Sequence, residues 1–194
     1  MPATAQNIEK GRTNMSKKQQ GLSRMVTLTE SVHVKAPPKA AWKLISNFEE
    51  TWLNSNPDHL EIMVLGQYKR HICDGFAYWQ REKVGRATVE YIAKLEDVTK
   101  EKAFSWSTVA NYDICRTNFK LEMGGTFLIE EVEKGFTLRH DFWIFNHGNL
   151  KGLFFRWFVL HLFGHKRAIS KHYRTELGYY KEKLEKDEAE ATCH

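Results

Sequence analysis

The stretch HVKAPPKAAWKLISNFEETW, at residues 33–52, decides the fold class of this 194-residue chain. It continues an alternating segment, residues 26–35, in which every second residue except Glu30 is apolar, the period of a half-buried strand. Two prolines end the strand, and the residues after them predict two short helices before the turn NSNPD at residues 54–58. The chain therefore opens with one strand and two short helices.

Downstream of this opening, extended segments follow one another through short loops. Alternating apolar and polar residues predict strands at 59–65, 76–84, 87–98, 103–110, 116–123, 126–133 and 136–146. Gly124 and Gly125 are expected to form a tight turn between two of these segments. A long helix is predicted from about residue 150 to 184. This order predicts an α+β fold in which a curved antiparallel sheet of about seven strands wraps around a long C-terminal helix.

The order of elements, the stretch at 33–52 and the GGT sequence at 124–126 resemble the START/Bet v 1-like (SRPBCC) superfamily, which includes polyketide cyclases. The resemblance covers residues 26–185. It implies a helix-grip fold with a hydrophobic cavity between sheet and helix, and a small apolar or aromatic ligand as the partner. Function varies widely on this scaffold, so the fold alone does not assign one.

Composition narrows the choice of partner and compartment. Lys and Arg number 29 against 24 Asp and Glu, and the net charge of +5 is spread along the chain, without basic residues interleaved with aromatic ones. Nucleic acid is therefore not expected as a partner. The three cysteines form no CxxC pair, which argues against a disulfide framework and a thiolate zinc site. A reducing, cytoplasmic compartment is the prediction.

The chain is expected to form one domain with loose ends. We predict a flexible polar arm at residues 1–24, the helix-grip domain at 25–187 and a disordered tail at 188–194. The segment LFFRWFVLHLF at 153–163 is apolar on almost every side, but it is shorter than the roughly 20 apolar residues of a membrane span. Core packing is the favoured interpretation, and peripheral membrane contact is the alternative. A homodimer is left open.

Two histidines and two glutamates form a candidate metal site. His172 and Glu176 lie one helical turn apart on the predicted C-terminal helix, about 40° from each other on one face. If the strands at 59–65 and 76–84 pair as neighbours, His59 lies opposite Glu82. Imidazole and carboxylate ligands suit Zn²⁺ and other divalent ions. Against this, the apolar stripe of the helix leaves its pair on the flank, and a solvated surface pair is the plainer interpretation.

Three short motifs support the metal interpretation through a narrower resemblance. NPDHLEI at 56–62, EKVG at 82–85 and KHYRTEL at 171–177, the last preceded by LRHDFWIF, are similar to the diacetylphloroglucinol hydrolase family. The resemblance implies a zinc ion held by His59, Glu82, His172 and Glu176, and cleavage of a carbon–carbon bond between an acyl group and a phenolic ring. Glu90 remains an alternative to Glu82 as the strand ligand.

Carbon–carbon cleavage also requires a group that protonates the leaving group. His140 on the last strand is one candidate, and His161 and His165 are two more, because spacings of four and seven residues place them on the helix face of the predicted metal ligands. Glu30, on the apolar side of the first strand, is a further buried polar candidate, and the alternative explanations of its position are local strand twist or a structural partner such as Arg139.

These observations leave three hypotheses for function. The first is a metal-dependent hydrolase that acts on a carbon–carbon bond of a small hydrophobic ketone or polyketide-like aromatic compound. The second is a non-catalytic carrier or sensor of a lipid or aromatic molecule. The third is a metal-free polyketide cyclase or dehydratase in which Glu30 and His140 transfer protons.

Overall fold

The computed structural model describes residues 23–66, 72–114, 116–146, 154 and 164–192. Its elements, in chain order, are β1 (Ser23–Val34), α1 (Pro38–Ser46), α2 (Phe48–Trp52), β2 (His59–Leu65), β3 (Ala77–Val84), β4 (Ala87–Thr99), β5 (Ala103–Ile114), β6 (Thr117–Val132), β7 (Gly135–Asn146) and α3 (His165–Thr192). The element α2 is a single π-helical turn.

The seven strands form one antiparallel sheet in the order β1-β7-β6-β5-β4-β3-β2. Burial alternates along β3 and β4, so every second side chain faces the core. The helix α3 packs on this inner face with the apolar stripe that its spacing predicts, composed of Ile169, Tyr173, Leu177, Tyr180 and Leu184. The predicted α+β helix-grip fold, with two short helices after the first strand, is confirmed.

The ends of the domain differ from the prediction. The strand β1 begins at Ser23, two residues inside the predicted arm, because its ladder with β7 already pairs Ser23 with Asn146. The helix α3 continues to Thr192, so residues 188–192 of the predicted tail are helical. The rest of the arm and the last two residues lie outside the described part of the chain.

The start of the long helix also differs from the prediction. The helix α3 begins at His165, directly after Gly164, whose φ of +66° is a left-handed conformation that glycine adopts without strain. Apart from Phe154, residues 150–163 lie outside the described part, and His161 is among them. None of the described helices is long and apolar enough to cross a bilayer.

The expected tight turn at Gly124 and Gly125 is wrong. Both residues lie in the middle of β6, which runs unbroken from 117 to 132. The two glycines leave space for large side chains: a Cβ at Gly124 would collide with the ring of Trp143, and a Cβ at Gly125 would lie 2.6 Å from Nε2 of His140. They therefore reflect close approach of side chains across the sheet, the other physical reason for glycine inside a strand.

Glu30 has a different partner from the one expected. Its carboxylate accepts hydrogen bonds from Oγ of Ser170 (2.6 Å) and Nε of Arg174 (2.8 Å), both on α3. Arg139 is instead engaged with neighbouring carboxylates, those of Glu130 and Asp141. The apolar side of β1 faces α3, and the carboxylate of Glu30 therefore ties the helix to the edge of the sheet.

Candidate metal centre

The sheet brings His59 and Glu82 together. His59 is the first residue of β2 and is the register partner of Glu82 on β3, as predicted. The NPD turn before it holds this start in place, because the backbone N–H of His59 donates to the carbonyl of Asn56 (3.0 Å) and that of Lys83 donates to the carbonyl of Asp58 (2.8 Å). His59 and Glu82 are 7% and 4% exposed, so neither is a solvated strand end.

The helix brings His172 and Glu176 to the same place. They are 4% and 1% exposed, although the position of both beside the apolar stripe had suggested the solvated flank of α3. The flank is covered because the loop that precedes β2 packs against it: the amide of Asn56 donates to the carbonyl of His172 (2.9 Å). The apolar stripe of the helix could not show this burial, because the loop that covers the flank is distant in the sequence.

The four side chains converge inside the grip. Nε2 of His59 lies 3.2 Å from Nε2 of His172, and Oε2 of Glu82 lies 3.5 Å from each of these nitrogens. His59, His172 and Glu176 also offer ligand atoms that all lie within 4.8 Å of one another. Both imidazoles therefore lie near two glutamates, one from the sheet and one from the helix.

These distances fit a divalent metal ion. Zinc binds nitrogen and oxygen ligands at about 2.0–2.2 Å in tetrahedral geometry, which places ligand atoms about 3.3–3.6 Å apart. The separations of 3.2 and 3.5 Å among His59, His172 and Glu82 lie close to that range. Moreover, Oε1 of Glu176 is buried without a hydrogen-bond partner, which is costly unless a cation or a donor is supplied.

The tautomer of His59 favours the same conclusion. Its Nδ1 lies 2.7 Å from the carbonyl oxygen of Trp52, and because a carbonyl only accepts, Nδ1 carries the proton. The lone pair of the neutral ring is then on Nε2, which points at His172. A histidine that donates its other N–H to a carbonyl is the usual arrangement of a metal ligand, since the hydrogen bond fixes both tautomer and ring orientation.

Burial and mutual charge set the protonation of the cluster without an ion. Burial disfavours the charged form of Glu82, but the charge and hydrogen bond of His172 outweigh it and lower the pKa of that carboxyl. Burial would also lower the pKa of His172, but the charge of Glu82 outweighs it and raises the pKa. For His59, burial dominates and lowers the pKa. Burial raises the pKa of Glu176 to about 8, with His172 opposing the shift.

Glu90, the alternative strand ligand, lies elsewhere. It is exposed on the outer face of β4, where it accepts a hydrogen bond from Nε1 of Trp79 (3.2 Å). Glu82 and Glu90 point to opposite faces of the sheet. Glu90 is the cross-strand partner of Arg81, the residue next to Glu82, and successive residues of a strand point to opposite faces. The geometry therefore brings Glu82, and not Glu90, to the two histidines.

His140 lies on the inner face of the sheet among aromatic rings. It is 1% exposed, stacks on Phe127 at 3.9 Å between centroids and meets the edge of Tyr173 at 4.3 Å. Its Nε2 accepts a hydrogen bond from Nε1 of Trp106 (3.4 Å), so the proton is on Nδ1, which has no partner. Burial, with a smaller contribution from the charge of His172, lowers its pKa to about 3. It is joined to none of the four candidate ligands by a hydrogen bond.

His165, the other candidate for proton transfer, is the first residue of α3. It is 4% exposed and meets the ring of Tyr112 edge-on, with 5.8 Å between centroids. Burial lowers its pKa to about 4. Both histidines are therefore neutral at pH 7, so each can orient an oxygen atom or accept a proton.

Sequence reasoning missed three residues that support the cluster. Trp52 and Gln80 form a hydrogen-bonded chain to Glu82, and Asn56 attaches the loop to α3. The only signals for them were the polar NPD turn and the position of Gln80 on the apolar side of a strand. The alternating pattern gives no role to a single polar residue on that side.

Comparison with known proteins finds similarity in fold alone. No family model matches the sequence, and no curated protein matches it. The Zhui aromatase/cyclase from Streptomyces sp. R1128 is 12% identical, with a TM-score of 0.61 over 82% of this chain and 93% of that chain. The di-domain ARO/CYC StfQ from the steffimycin biosynthetic pathway is 10% identical, with a TM-score of 0.61 over 84% of this chain and 51% of that chain.

A START superfamily protein from Mycobacterium smegmatis is also similar in fold. It is 11% identical, with a TM-score of 0.55 over 84% of this chain and 99% of that chain. At such identities the likeness shows the fold and not the activity. The chain therefore shares the helix-grip fold of these structures.

Proposed function

We propose that the protein is a metal-dependent hydrolase that cleaves a carbon–carbon bond beside the ketone of a small aromatic or polyketide-like compound. The observation that carries the proposal is the convergence of two imidazoles and two carboxylates, from β2, β3 and α3, in the interior of the grip. The ligands are His59, Glu82, His172 and Glu176.

Charge balance supports a divalent ion in this place. The buried polar side chains of the described residues include no lysine and no arginine, so no permanent cation neutralises the carboxylates of Glu82 and Glu176. Without an ion the cluster holds protons instead: against the effect of burial, Glu82 raises the pKa of His172, and burial raises the pKa of Glu176 to about 8. An ion of charge +2 would balance two ionised carboxylates and leave both imidazoles as neutral ligands.

The surroundings of the cluster suit a flat apolar substrate. Buried aromatic rings from five elements lie around it, those of Tyr78, Tyr91, Trp106, Phe127 and Tyr173. Aromatic surfaces bind aromatic guests through stacking and edge contacts. A metal ion in the cluster could activate the ketone of a substrate bound beside these rings.

Each part of the site has a separate task in this reaction. A divalent ion held by the four ligands would polarise a carbonyl and acidify water, as such ions do in other hydrolases. The buried aromatic side chains would exclude bulk water and stack on the ring of a substrate. The partnerless Nδ1–H of His140 donates a hydrogen bond to a phenolic or carbonyl oxygen. His165, neutral at pH 7, is the candidate to accept the proton of the attacking water and pass it to the ring carbon as the carbon–carbon bond breaks.

The experiment begins with elemental analysis of protein purified without chelator. The wild type and a Glu90→Gln control are expected to hold one equivalent of a divalent metal, and Glu82→Gln and the double variant His172→Ala/Glu176→Ala are expected to lose it. Turnover of a series of phenols that carry an acyl group on a ring carbon is then followed with and without chelator. A wild-type protein without stoichiometric metal sinks the hydrolase proposal.

Two rival functions give different results in the same assays. A metal-free cyclase retains activity in chelator and depends on Glu30 and His140, which are cross-strand partners on the inner face. Ser170 and Arg174 already bind the carboxylate of Glu30, which argues against this role. A carrier releases its bound apolar ligand chemically unchanged, which native mass spectrometry detects.

A further inference from the structure

Trp52 contacts His59 directly and is linked to Glu82 through one residue, Gln80, although it offers no ligand atom itself. It is the last residue of the π-helical turn α2, is 3% exposed and lies seven residues before His59. π-Helical turns are rare and occur frequently at functional sites. Here the turn directs a carbonyl oxygen, an indole N–H and a ring face toward neighbours of the cluster.

The backbone of Trp52 orients His59. The last carbonyls of a helical turn have no partner within the turn, and this one accepts a hydrogen bond from Nδ1 of His59 (2.7 Å) and another from Oγ of Ser55 (2.7 Å). The indole ring also stacks on the imidazole, with 6.1 Å between centroids and 9° between planes. The ring plane and the tautomer of His59 are thus set by one residue.

The side chain of Trp52 orients Glu82 through Gln80. The indole Nε1–H donates to Oε1 of Gln80 (2.9 Å), and because the indole only donates, it determines which end of the amide faces it. The NH₂ end of Gln80 is thereby turned to Glu82 and donates to its Oε2. The same oxygen faces Nε2 of both imidazoles, so this amide holds the carboxylate in the orientation in which it meets them.

We infer that Trp52 is a positioning residue that aims two metal ligands, His59 through its carbonyl oxygen and Glu82 through the amide of Gln80. The role in metal binding rests on the proposed function, whereas the orientation of His59 does not. A phenylalanine at this position would keep the carbonyl and the ring stacking but lose the indole N–H. The amide of Gln80 would then be free to turn its oxygen toward Glu82 and repel it.

Cobalt binding tests the relay, the hydrogen-bonded chain from Trp52 through Gln80 to Glu82. Co²⁺ affinity, measured by competition with a chromophoric chelator, is expected to fall 10- to 100-fold in Trp52→Phe, the range found when groups that orient metal ligands are removed. The visible spectrum of bound Co²⁺ is expected to change as well, because it reports the arrangement of the ligands. Gln80→Leu removes the amide that donates to Glu82 without altering the tryptophan and is expected to give the same loss.

Trp42→Phe is the matched control. Trp42 is a buried tryptophan that packs edge-on against Phe104 in the core, so its replacement reports the cost of shrinking an indole without touching the relay. It is expected to change cobalt affinity by less than twofold. Circular dichroism of each variant shows that it is folded.

Nitrogen-15 NMR of histidine in the metal-free wild type tests the hydrogen bond between His59 and the carbonyl of Trp52. His59 is expected to carry its proton on Nδ1. Observation of the Nε2–H tautomer, or unchanged cobalt affinity in both Trp52→Phe and Gln80→Leu, overturns the role of Trp52. Failure of the wild type to take up cobalt overturns instead the proposed function.

Discussion

Replacing His140 with phenylalanine or glutamine is expected to make the stability of the protein less sensitive to acid. The imidazole is packed between Phe127 and Tyr173 and is neutral in the folded state, because burial lowers its pKa from 6.5 to about 3. In the unfolded chain the same group takes up a proton below pH 6.5. Its contribution to stability is therefore fully present above pH 6.5 and is lost as the pH falls toward 3.

The magnitude follows from the two pKa values. Between pH 7 and pH 5 the unfolded state gains about 2 kcal/mol from protonating residue 140 that the folded state does not gain, at 1.36 kcal/mol per pKa unit. A variant without this imidazole should lose about 2 kcal/mol less than the wild type over the same interval. The phenylalanine variant also leaves Nε1 of Trp106 without an acceptor, which costs about 1–3 kcal/mol at every pH.

The assay is urea denaturation at pH 7 and pH 5, with chelator present so that release of metal does not contribute. The quantity compared is the change in the free energy of unfolding between the two pH values, in which the pH-independent cost of each substitution cancels. Both replacements should reduce this change equally, although they pack differently. Equal pH dependence in the wild type and the two variants would refute the reasoning, since it would mean that residue 140 is protonated in the folded state.

Three further predictions concern the ligands, the strand glycines and the ion. Glu82→Gln should lower divalent-metal affinity at least tenfold by removing a charged ligand, whereas Glu90→Gln should leave it unchanged; isothermal titration calorimetry decides between Glu82 and Glu90. Gly125→Ala should cost about 1–3 kcal/mol in urea denaturation, because its Cβ would lie 2.6 Å from Nε2 of His140, whereas Gly178→Ala, with no neighbour within 4 Å, should stabilise α3 by up to about 1 kcal/mol. Saturation with Zn²⁺ at 100 times its dissociation constant should raise the free energy of unfolding by about 2.7 kcal/mol, and an unchanged thermal midpoint would contradict specific binding to the folded state.

Much of the architecture follows from local pattern. The two-residue alternation of residues 26–35 and the stripe through Tyr173 and Leu177 predicted a strand and a helix that the structure contains. The strand and the helix depend on neighbours in sequence, which the pattern contains. The pairing of His59 with Glu82 was also predicted, although the structure reaches it through a register shift between His59 and Glu61.

The errors arose where a distant element decides the environment. Gly124 and Gly125 were expected in a turn, since glycine commonly marks one, but they lie within β6 because Trp143 and His140 from the adjacent strand need the space. The flank of α3 was expected to be solvated, and the loop at Asn56 buries it. No local signal distinguishes these cases.

For this protein, the sequence by itself determined the order and type of the elements and the turn-spaced pair His172 and Glu176, because strand and helix periods are properties of a short segment. Only the tertiary structure decided that the pair is buried, that Glu82 and not Glu90 meets it, and that the carbonyl of Trp52 accepts a hydrogen bond from His59. The physical reason is that burial and convergence depend on which remote surfaces cover a side chain, and those surfaces are brought together by the sheet closing on α3.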